Sequence, residues 1–271
     1  MLLHFYKMTG AGNDFVMVDN RDLSLSSVLD KETIEALCDR RFGIGADGLI
    51  AVEPSQGKGG IVRMRYYNAD GGEAEMCGNG ARCFGNFAAA LLHHDKTAPL
   101  PFETMAGVVT ATFEKDDNVT VNLTNPHSMQ LNADPTVGAD VHFLNTGVPH
   151  AVAFLDKLEG LDISRLGAYL RYHEAFSPKG TNANFARILS PGHIAIRTYE
   201  RGVEDETLAC GTGMTACALL HAVLTDAPSP IQVDVAGGDT LKVEFQRTGD
   251  RFTDVTLTGP ADLVFTGDIQ I

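Results

Sequence analysis

The sequence predicts an α+β protein of two similar halves, each a curved, mostly antiparallel sheet or barrel wrapped around one buried helix. Three observations lead to this fold class. The 271-residue chain repeats itself at half its length. Its β-like runs are short and bounded by turns, and two of its helical segments are apolar on nearly every face. We expect the active site in the cleft between the halves, where small-molecule sites are often found.

Two cysteine turns carry the repeat. Residues 75–83 read EMCGNGARC and residues 208–217 read LACGTGMTAC, so that Cys77 and Cys210 lie 210 − 77 = 133 positions apart. One such match would be weak evidence. Two matches at half-chain spacing indicate an internal duplication.

The flanking residues support the same duplication. Tyr66 and Tyr199 each precede their cysteine by 11 positions and follow a β-like run. Farther upstream, residues 9–13 (TGAGN) parallel residues 146–150 (TGVPH) at an offset of 137, a difference small enough to lie in a loop. We therefore expect one domain at residues 1–115, to which a strand at 262–271 returns, and a second at 116–261.

Periodicity predicts the individual elements. The β-branched, turn-bounded runs typical of strands are residues 61–65, 108–113, 119–123, 194–197, 231–235, 241–245 and 255–257. Residues 30–42 and 164–176 have the pattern of amphipathic surface helices. Residues 81–92 and 214–224 are apolar on nearly every face, which predicts helices buried on every side. Each repeated cysteine is expected just before the N-terminus of one of these two helices.

Composition and charge exclude several classes of function. The chain has 21 Lys and Arg against 35 Asp and Glu, a formal net charge of −14, which opposes binding to nucleic acid or to an anionic membrane. Residues 1–8 show no secretory signal, and the apolar run at 88–92 is too short to span a bilayer. A cytosolic protein is expected. Its five cysteines form no C-x-x-C pair, which favours free thiols over disulfides or a metal site.

The position of the two repeated cysteines indicates a chemistry. A helix N-terminus presents N–H groups and a partial positive charge, which favours a bound carboxylate and the thiolate form of a nearby cysteine. Two sulfurs on either side of one carbon can remove a proton from one face and deliver one to the other. This predicts cofactor-independent racemisation or epimerisation of an amino acid. For Cys38, Cys83 and Cys217, a buried structural thiol is the expected role.

In the repeated cysteines and the motifs around them, the chain closely resembles the diaminopimelate epimerase family. Members of this family are pyridoxal-independent two-cysteine enzymes of lysine and peptidoglycan precursor synthesis. The resemblance covers nearly the whole length. It rests on the motifs at residues 8–15, 41–48, 68–71, 77–80, 180–182, 200–202 and 210–213.

The resemblance implies epimerisation of LL-diaminopimelate to the meso form, with no cofactor and no metal. Cys77 would donate and Cys210 accept the proton in this direction, while His150 and Glu200 would adjust the protonation of the two cysteines. The implied substrate-binding residues are Asn13, Asn68, Gly78, Asn79, Asn182, Glu200, Arg201, Gly211 and Thr212. Phe265 matches a dimer contact of some members, so a homodimer is expected.

The chain departs from the family at two positions. Val148 stands where many members have asparagine, and Gly48 where many have glutamine, so two side-chain contacts to substrate are missing or supplied otherwise. Two alternatives stay open. One is a proline or hydroxyproline racemase of the same superfamily, and the other is a non-catalytic amino-acid-binding or thiol-redox protein.

Overall fold

A computed structural model describes all residues from 1 to 271 and contains eighteen β-strands and four α-helices. Most strand pairs are antiparallel, which confirms the predicted α+β class. The chain divides into two compact units, unit 1 (residues 1–121 and 259–271) and unit 2 (residues 122–258). None of the helices combines the length and the apolar character needed to cross a membrane.

Each unit alternates short strands with two helices. The elements of unit 1 are β1 (Leu2–Gly10), β2 (Asn13–Asp19), α1 (Lys31–Cys38), β3 (Gly48–Pro54), β4 (Val62–Asn68), β5 (Glu73–Ala74), α2 (Gly78–Leu91), β6 (Leu100–Thr104), β7 (Gly107–Phe113) and β8 (Val119–Asn122). Those of unit 2 are β9 (His127–Ala133), β10 (Val141–Asn145), β11 (Pro149–Phe154), α3 (Ile163–Arg171), β12 (Asn182–Ser190), β13 (His193–Glu200), β14 (Asp205–Thr207), α4 (Gly211–Thr225), β15 (Ile231–Asp234), β16 (Thr240–Thr248) and β17 (Arg251–Gly259). The C-terminal strand β18 (Asp262–Gln270) belongs to unit 1.

The two units repeat one order of strand pairing. In unit 1, β1 pairs antiparallel with β2, β2 parallel with β3, and β3 antiparallel with β4. Strand β4 then pairs antiparallel with β5 and parallel with β6, and β6, β7 and β8 continue antiparallel. In unit 2 the strands from β10 to β17 repeat these pairings in the same order and with the same directions. Strand β18 adds to β1 as β9 adds to β10.

One helix lies at the centre of each unit. Helix α2 packs against β1, β2, β3, β4, β6 and β7, and α4 packs against the six equivalent strands of unit 2, β10 to β13, β15 and β16. A helix in contact with strands on several sides has no face left for water, which explains why both are apolar nearly all round. The prediction of two buried helices is confirmed.

Both predicted surface helices are shorter than the sequence suggested. Helix α1 ends at Cys38 because the Asp39 carboxylate accepts the N–H groups of Arg41 and Phe42, both at 2.7 Å, and turns the chain. Helix α3 ends at Arg171, and a separate 3-10 turn (Glu174–Phe176) follows. The boundary between the units lies after Val121 and not after residue 115, and unit 1 thus includes most of β8, which pairs antiparallel with β7.

Candidate active site

The two repeated cysteines occupy the same backbone position. Cys77 is the N-cap residue of α2 and Cys210 that of α4, both with extended backbone angles. The helices begin at the glycine that follows each cysteine, three residues earlier than predicted. The first N–H groups of a helix have no partner within the helix. Residues 78, 79, 211 and 212 therefore form two N-terminal turns suited to an anion.

An asparagine amide faces the sulfur of Cys77. The Cys77 thiol donates toward Asn13 Oδ1 at 3.5 Å, and Asn79 Nδ2 donates to the same oxygen at 3.5 Å. Asn13 Nδ2 donates to Asp47 Oδ2 at 2.6 Å. Because a carboxylate only accepts hydrogen bonds, Asp47 fixes the orientation of the amide and leaves its oxygen toward the sulfur.

A network of charged side chains supports Asp47 in turn. Arg40 bridges two carboxylates, donating to Asp14 Oδ1 and to Asp47 Oδ1 at 2.7 Å each. Lys7 Nζ lies 2.7 Å from Asp14 Oδ2 and also donates to the Gly45 carbonyl. Burial raises the pKa of Asp14, but the hydrogen bonds and charges of Arg40 and Lys7 outweigh it and lower that pKa to about 2.

The next substrate-binding candidate, Asn68, lies at the end of β4. Its Oδ1 accepts the Tyr66 hydroxyl at 2.7 Å, and in the β3–β4 ladder it stands opposite Gly48. A Cβ at Gly48 would lie 2.4 Å from the Tyr67 carbonyl oxygen and 2.8 Å from Cε2 of Tyr66. A longer side chain such as glutamine therefore has no room at position 48, and the Tyr66 ring lies against this position.

Around Cys210 the sulfur faces a hydroxyl group. Cys210 Sγ lies 3.6 Å from Thr212 Oγ1, and His150 Nε2 lies 2.9 Å from the same hydroxyl. The Thr146 hydroxyl donates to the Thr212 carbonyl at 2.9 Å and ties this turn to the end of β10. His150 is fully buried. Burial, followed by the positive charge of Arg201, lowers its pKa to about 3, so the imidazole is neutral.

The remaining candidates of unit 2 surround His150. Asn182 stands beside His150 in the parallel β11–β12 ladder and donates from Nδ2 to the Pro149 carbonyl at 3.1 Å. Asn182 Oδ1 accepts the backbone N–H of Arg201 at 2.7 Å. Glu200 accepts the Thr207 hydroxyl at 3.0 Å. Unit 2 thus brings together Cys210, Thr212, His150, Asn182 and Arg201, as unit 1 brings together Asn13, Cys77, Gly78 and Asn79.

Sequence reasoning assigned no role to two residues that hold these groups. Asp47 lies in the motif at residues 41–48, but only the structure shows that it orients Asn13. Asn184, fully buried on β12, hydrogen-bonds both His150 and the Ala151 carbonyl. A polar residue two positions after Asn182 in an apolar strand lies on the same face of the sheet. This spacing could have indicated that Asn184 belongs to the site.

The other three cysteines lie within helices and not at a helix N-cap. No disulfide joins any of the five cysteines. Burial raises the pKa of Cys38 and of Cys83 to about 12, and it also raises the pKa of Cys217. Their side chains are buried, as expected for structural thiols.

Comparison with known proteins gives a consistent family. The family model described as diaminopimelate epimerase matches residues 5–129 and 142–264. A diaminopimelate epimerase from Flavobacterium psychrophilum is 42% identical over 265 residues, covering 97% of this chain and 98% of its own. Those from Chlorobaculum tepidum and Aquifex aeolicus are 40% and 38% identical, covering 97% and 99% of this chain and 100% and 98% of their own.

Solved structures share the fold at low sequence identity. A phenazine biosynthesis protein of the PhzF family from Bacillus anthracis has a TM-score of 0.77 at 14% identity, covering 100% of both chains. A hydroxyproline epimerase from Agrobacterium vitis has a TM-score of 0.70 at 16% identity, covering 99% of this chain and 91% of that one. At such identities the likeness establishes the fold alone.

Proposed function

Because the chain belongs to the diaminopimelate epimerase family, we propose that it interconverts LL- and meso-2,6-diaminopimelate, without a cofactor, for lysine and peptidoglycan precursor synthesis. The chain is an epimerase, and so an isomerase. The observation that carries the two-cysteine mechanism is the placement of Cys77 and Cys210 as N-cap residues of equivalent buried helices. No other cysteine in the chain has this position.

In the proposed reaction the two sulfurs act on opposite faces of one α-carbon. In the LL-to-meso direction, the Cys210 thiolate takes the α-proton and becomes a thiol, while the Cys77 thiol delivers its proton to the other face. The enzyme then holds a thiolate at Cys77 and a thiol at Cys210, which is the state needed for the reverse reaction. Protons and charge balance without a further reactant. Because only one mixed state is competent in each direction, the pair titrates as a unit.

The helix N-termini take the reacting carboxylate in this proposal. The amides of Gly78, Asn79, Gly211 and Thr212 lie in the first turns of α2 and α4, where N–H groups bind anions. Removal of the α-proton increases the negative charge on that carboxylate. Fixed N–H donors stabilise such developing charge most effectively.

The second amino-acid head of the substrate needs groups of both signs. The Arg201 guanidinium suits the distal carboxylate, because it donates two parallel hydrogen bonds. Glu200 and the side-chain oxygens of Asn13, Asn68 and Asn182 suit the ammonium groups. We also assign to His150 and Glu200 the adjustment of the cysteines' protonation.

Exchange of the α-hydrogen tests the proposal. The reduced protein is incubated in deuterated water with LL-diaminopimelate or with L-proline, and deuterium incorporation is followed by mass spectrometry. We expect exchange and epimerisation with diaminopimelate alone, and loss of epimerisation in Cys77→Ala and in Cys210→Ala. Cys38→Ala, which removes a thiol of raised pKa outside the proposed site, is the matched control and retains activity.

Each other outcome has a defined meaning. Exchange with proline alone would move the assignment to the proline racemases, whose fold the chain shares. No exchange with either amino acid would favour a binding protein. Two sulfurs that approach one carbon in this way also lie close enough to form a disulfide with each other. An oxidant should therefore inactivate the enzyme, and a thiol reductant should restore its activity.

The oligomeric state forms a separate part of the proposal. Strand β18 exposes Leu263, Val264 and Phe265, with about half of each side chain open to solvent. An apolar run on an exposed strand marks an interaction surface, and we propose a homodimer through it. Light scattering after size exclusion should give twice the mass of one chain, and Phe265→Glu should give the monomer.

A further inference from the structure

A chain of buried polar groups leads from β13 to the sulfur of Cys210. The Thr198 hydroxyl donates to Asn184 Oδ1 at 3.0 Å, and Asn184 Nδ2 lies 3.1 Å from His150 Nδ1. His150 Nε2 lies 2.9 Å from Thr212 Oγ1, which lies 3.6 Å from Cys210 Sγ. Thr198, Asn184 and His150 are each at most 2% exposed. The groups at the end of this series determine which atom donates and which accepts in each of its hydrogen bonds.

The orientation of the Asn184 amide is determined first. Its Nδ2 donates to the Ala151 carbonyl at 3.0 Å, and a carbonyl oxygen only accepts. Rotating the amide would place two oxygens against each other in a buried site, which is costly. The second N–H of the amide is then directed at His150 Nδ1, and the Thr198 hydroxyl occupies Oδ1.

The orientation of Asn184 determines the tautomer of His150. A ring nitrogen that accepts from Asn184 cannot carry a proton, so Nδ1 is bare and the single proton of the neutral ring is on Nε2. A doubly protonated ring would place two donors together at Nδ1. The charge on Arg201 also opposes that form. His150 therefore donates from Nε2 to the Thr212 hydroxyl.

The hydroxyl of Thr212 is the last link. Because its oxygen accepts from His150, its own proton is available for the remaining neighbour, Cys210 Sγ. A donor at the sulfur stabilises a thiolate and not a thiol. We propose that Asn184, held by Thr198, is a positioning residue that keeps His150 in the Nε2–H tautomer, so that the Thr212 hydroxyl donates to the Cys210 sulfur. This inference rests on the proposed function only for its catalytic consequence.

The packing at the start of α4 fits this role for Asn184. A Cβ added at Gly213 would lie 2.4 Å from Asn184 Oδ1 and 3.4 Å from Cys210 Sγ. The amide therefore lies directly against the first turn of the helix, and only glycine at position 213 leaves room for it.

The tautomer of His150 tests the proposal without any variant. In protein labelled with ¹⁵N-histidine, we expect the His150 ring at pH 7 to show a protonated Nε2 and an unprotonated Nδ1. His150→Gln serves only to assign the signal among nine histidines. A protonated Nδ1, in either the other tautomer or an imidazolium, would overturn the proposal.

Alkylation measures the consequence at the sulfur. Iodoacetamide labelling of Cys210 is followed against pH on the tryptic peptide of residues 202–242. In Asn184→Leu, which removes the donor without adding charge, we expect a mixture of tautomers and a labelling midpoint about one pH unit higher. Thr198→Val should shift the midpoint in the same direction by less, and it serves if the first variant does not fold.

A matched control separates positioning from a general loss of stability. Thr215 is also a buried threonine near Cys210, but its hydroxyl donates to the Gly211 carbonyl within the helix. Thr215→Val should leave the tautomer and the Cys210 midpoint unchanged. An unchanged midpoint and tautomer in a folded Asn184→Leu would overturn the proposal. Because neither readout uses diaminopimelate, a failure of the proposed function would appear separately, in the exchange assay.

Discussion

The two cysteine turns have the same backbone and different polar side chains beside the sulfur. Each cysteine is the N-cap of a buried helix that packs against six equivalent strands. The sulfur of Cys77 faces the amide oxygen of Asn13, which only accepts, and also receives the backbone N–H of Gly80 at 3.5 Å, whereas that of Cys210 faces the Thr212 hydroxyl. A hydrogen-bond acceptor stabilises a thiol and a donor stabilises a thiolate. Duplication thus supplied two equivalent positions, and their neighbours make the two sulfurs chemically different.

The means of support also differ between the two turns. The Asn13 amide is held by Asp47, within a partly exposed network of ion pairs. Behind Cys210 the support consists of neutral groups, Asn184 and His150, in a fully buried site. This difference agrees with the proposed roles, in which Cys77 starts as the thiol and Cys210 as the thiolate in the LL-to-meso direction.

The largest difference between the two turns is expected in kcat/KM when alanine replaces Gly80 or Gly213, the glycines three residues after each cysteine. In Gly213→Ala the new methyl group displaces Asn184 Oδ1, 2.4 Å away, and kcat/KM should fall about 10- to 100-fold. In Gly80→Ala the nearest atom is Ile50 Cδ1 at 2.9 Å, the end of a flexible side chain, and the loss should stay below about threefold. Steady-state kinetics of both variants test the difference. Equal losses would mean that the two turns are sensitive for the same reason.

Acid should weaken unit 2 before unit 1. Burial lowers the pKa of His142, His150 and His221 below 6.5, so the unfolded state binds more protons and stability falls once the pH drops below about 6.5. In unit 1 the pKa of Asp14 is lowered to about 2, so its contribution is complete above about 4 and is lost between about 4 and 2.

Hydrogen exchange can separate these two pH ranges. Between pH 6.5 and 5, the protection of the most stable amides in unit 2 should fall about tenfold per pH unit because of His150, whose pKa lies well below this range, and His142 and His221 should add to the loss. Amides of unit 1 should keep their protection over this range. Mass spectrometry of peptides at pH 7.5 and 5.0, corrected for intrinsic exchange, gives the comparison. A loss that is the same in both units would contradict the prediction.

A smaller shift is expected in the alkylation midpoint of Cys77, opposite in sign to the rise expected for Cys210 in Asn184→Leu. In Asp47→Asn the new amide oxygen is drawn to Arg40, so its NH₂ group meets Asn13 Nδ2 and turns the Asn13 amide over. A donor then replaces the acceptor at the sulfur. The alkylation midpoint of Cys77 should fall by about half a pH unit, a change of about threefold in thiolate.

A neighbouring aspartate provides the control for this substitution. Asp39→Asn keeps a side-chain oxygen for the N–H groups of Arg41 and Phe42 and should leave the Cys77 midpoint unchanged. A midpoint that rises in Asp47→Asn would mean that Asn13 does not set the polarity at this sulfur.

Much of the fold could be predicted because its signals are local or repeated. The pattern of residues 81–92 and 214–224, apolar on nearly every face, predicted burial, and the short β-branched runs predicted strands. The ends of the surface helices were wrong because side-chain caps decide them. Asp39 ends α1 through two hydrogen bonds that periodicity does not reveal.

The sequence alone determined the duplication, the α+β class, and the two cysteines before two buried helices, because these depend on hydropathy pattern and on residues adjacent in the chain. Only the tertiary structure decided what each sulfur faces. Asn13 and Asp47 are 34 positions apart, and His150 and Thr212 are 62 apart, so strand pairing and packing bring them together. The direction of a hydrogen bond depends on the whole set of buried neighbours, and no local pattern in the chain encodes that set.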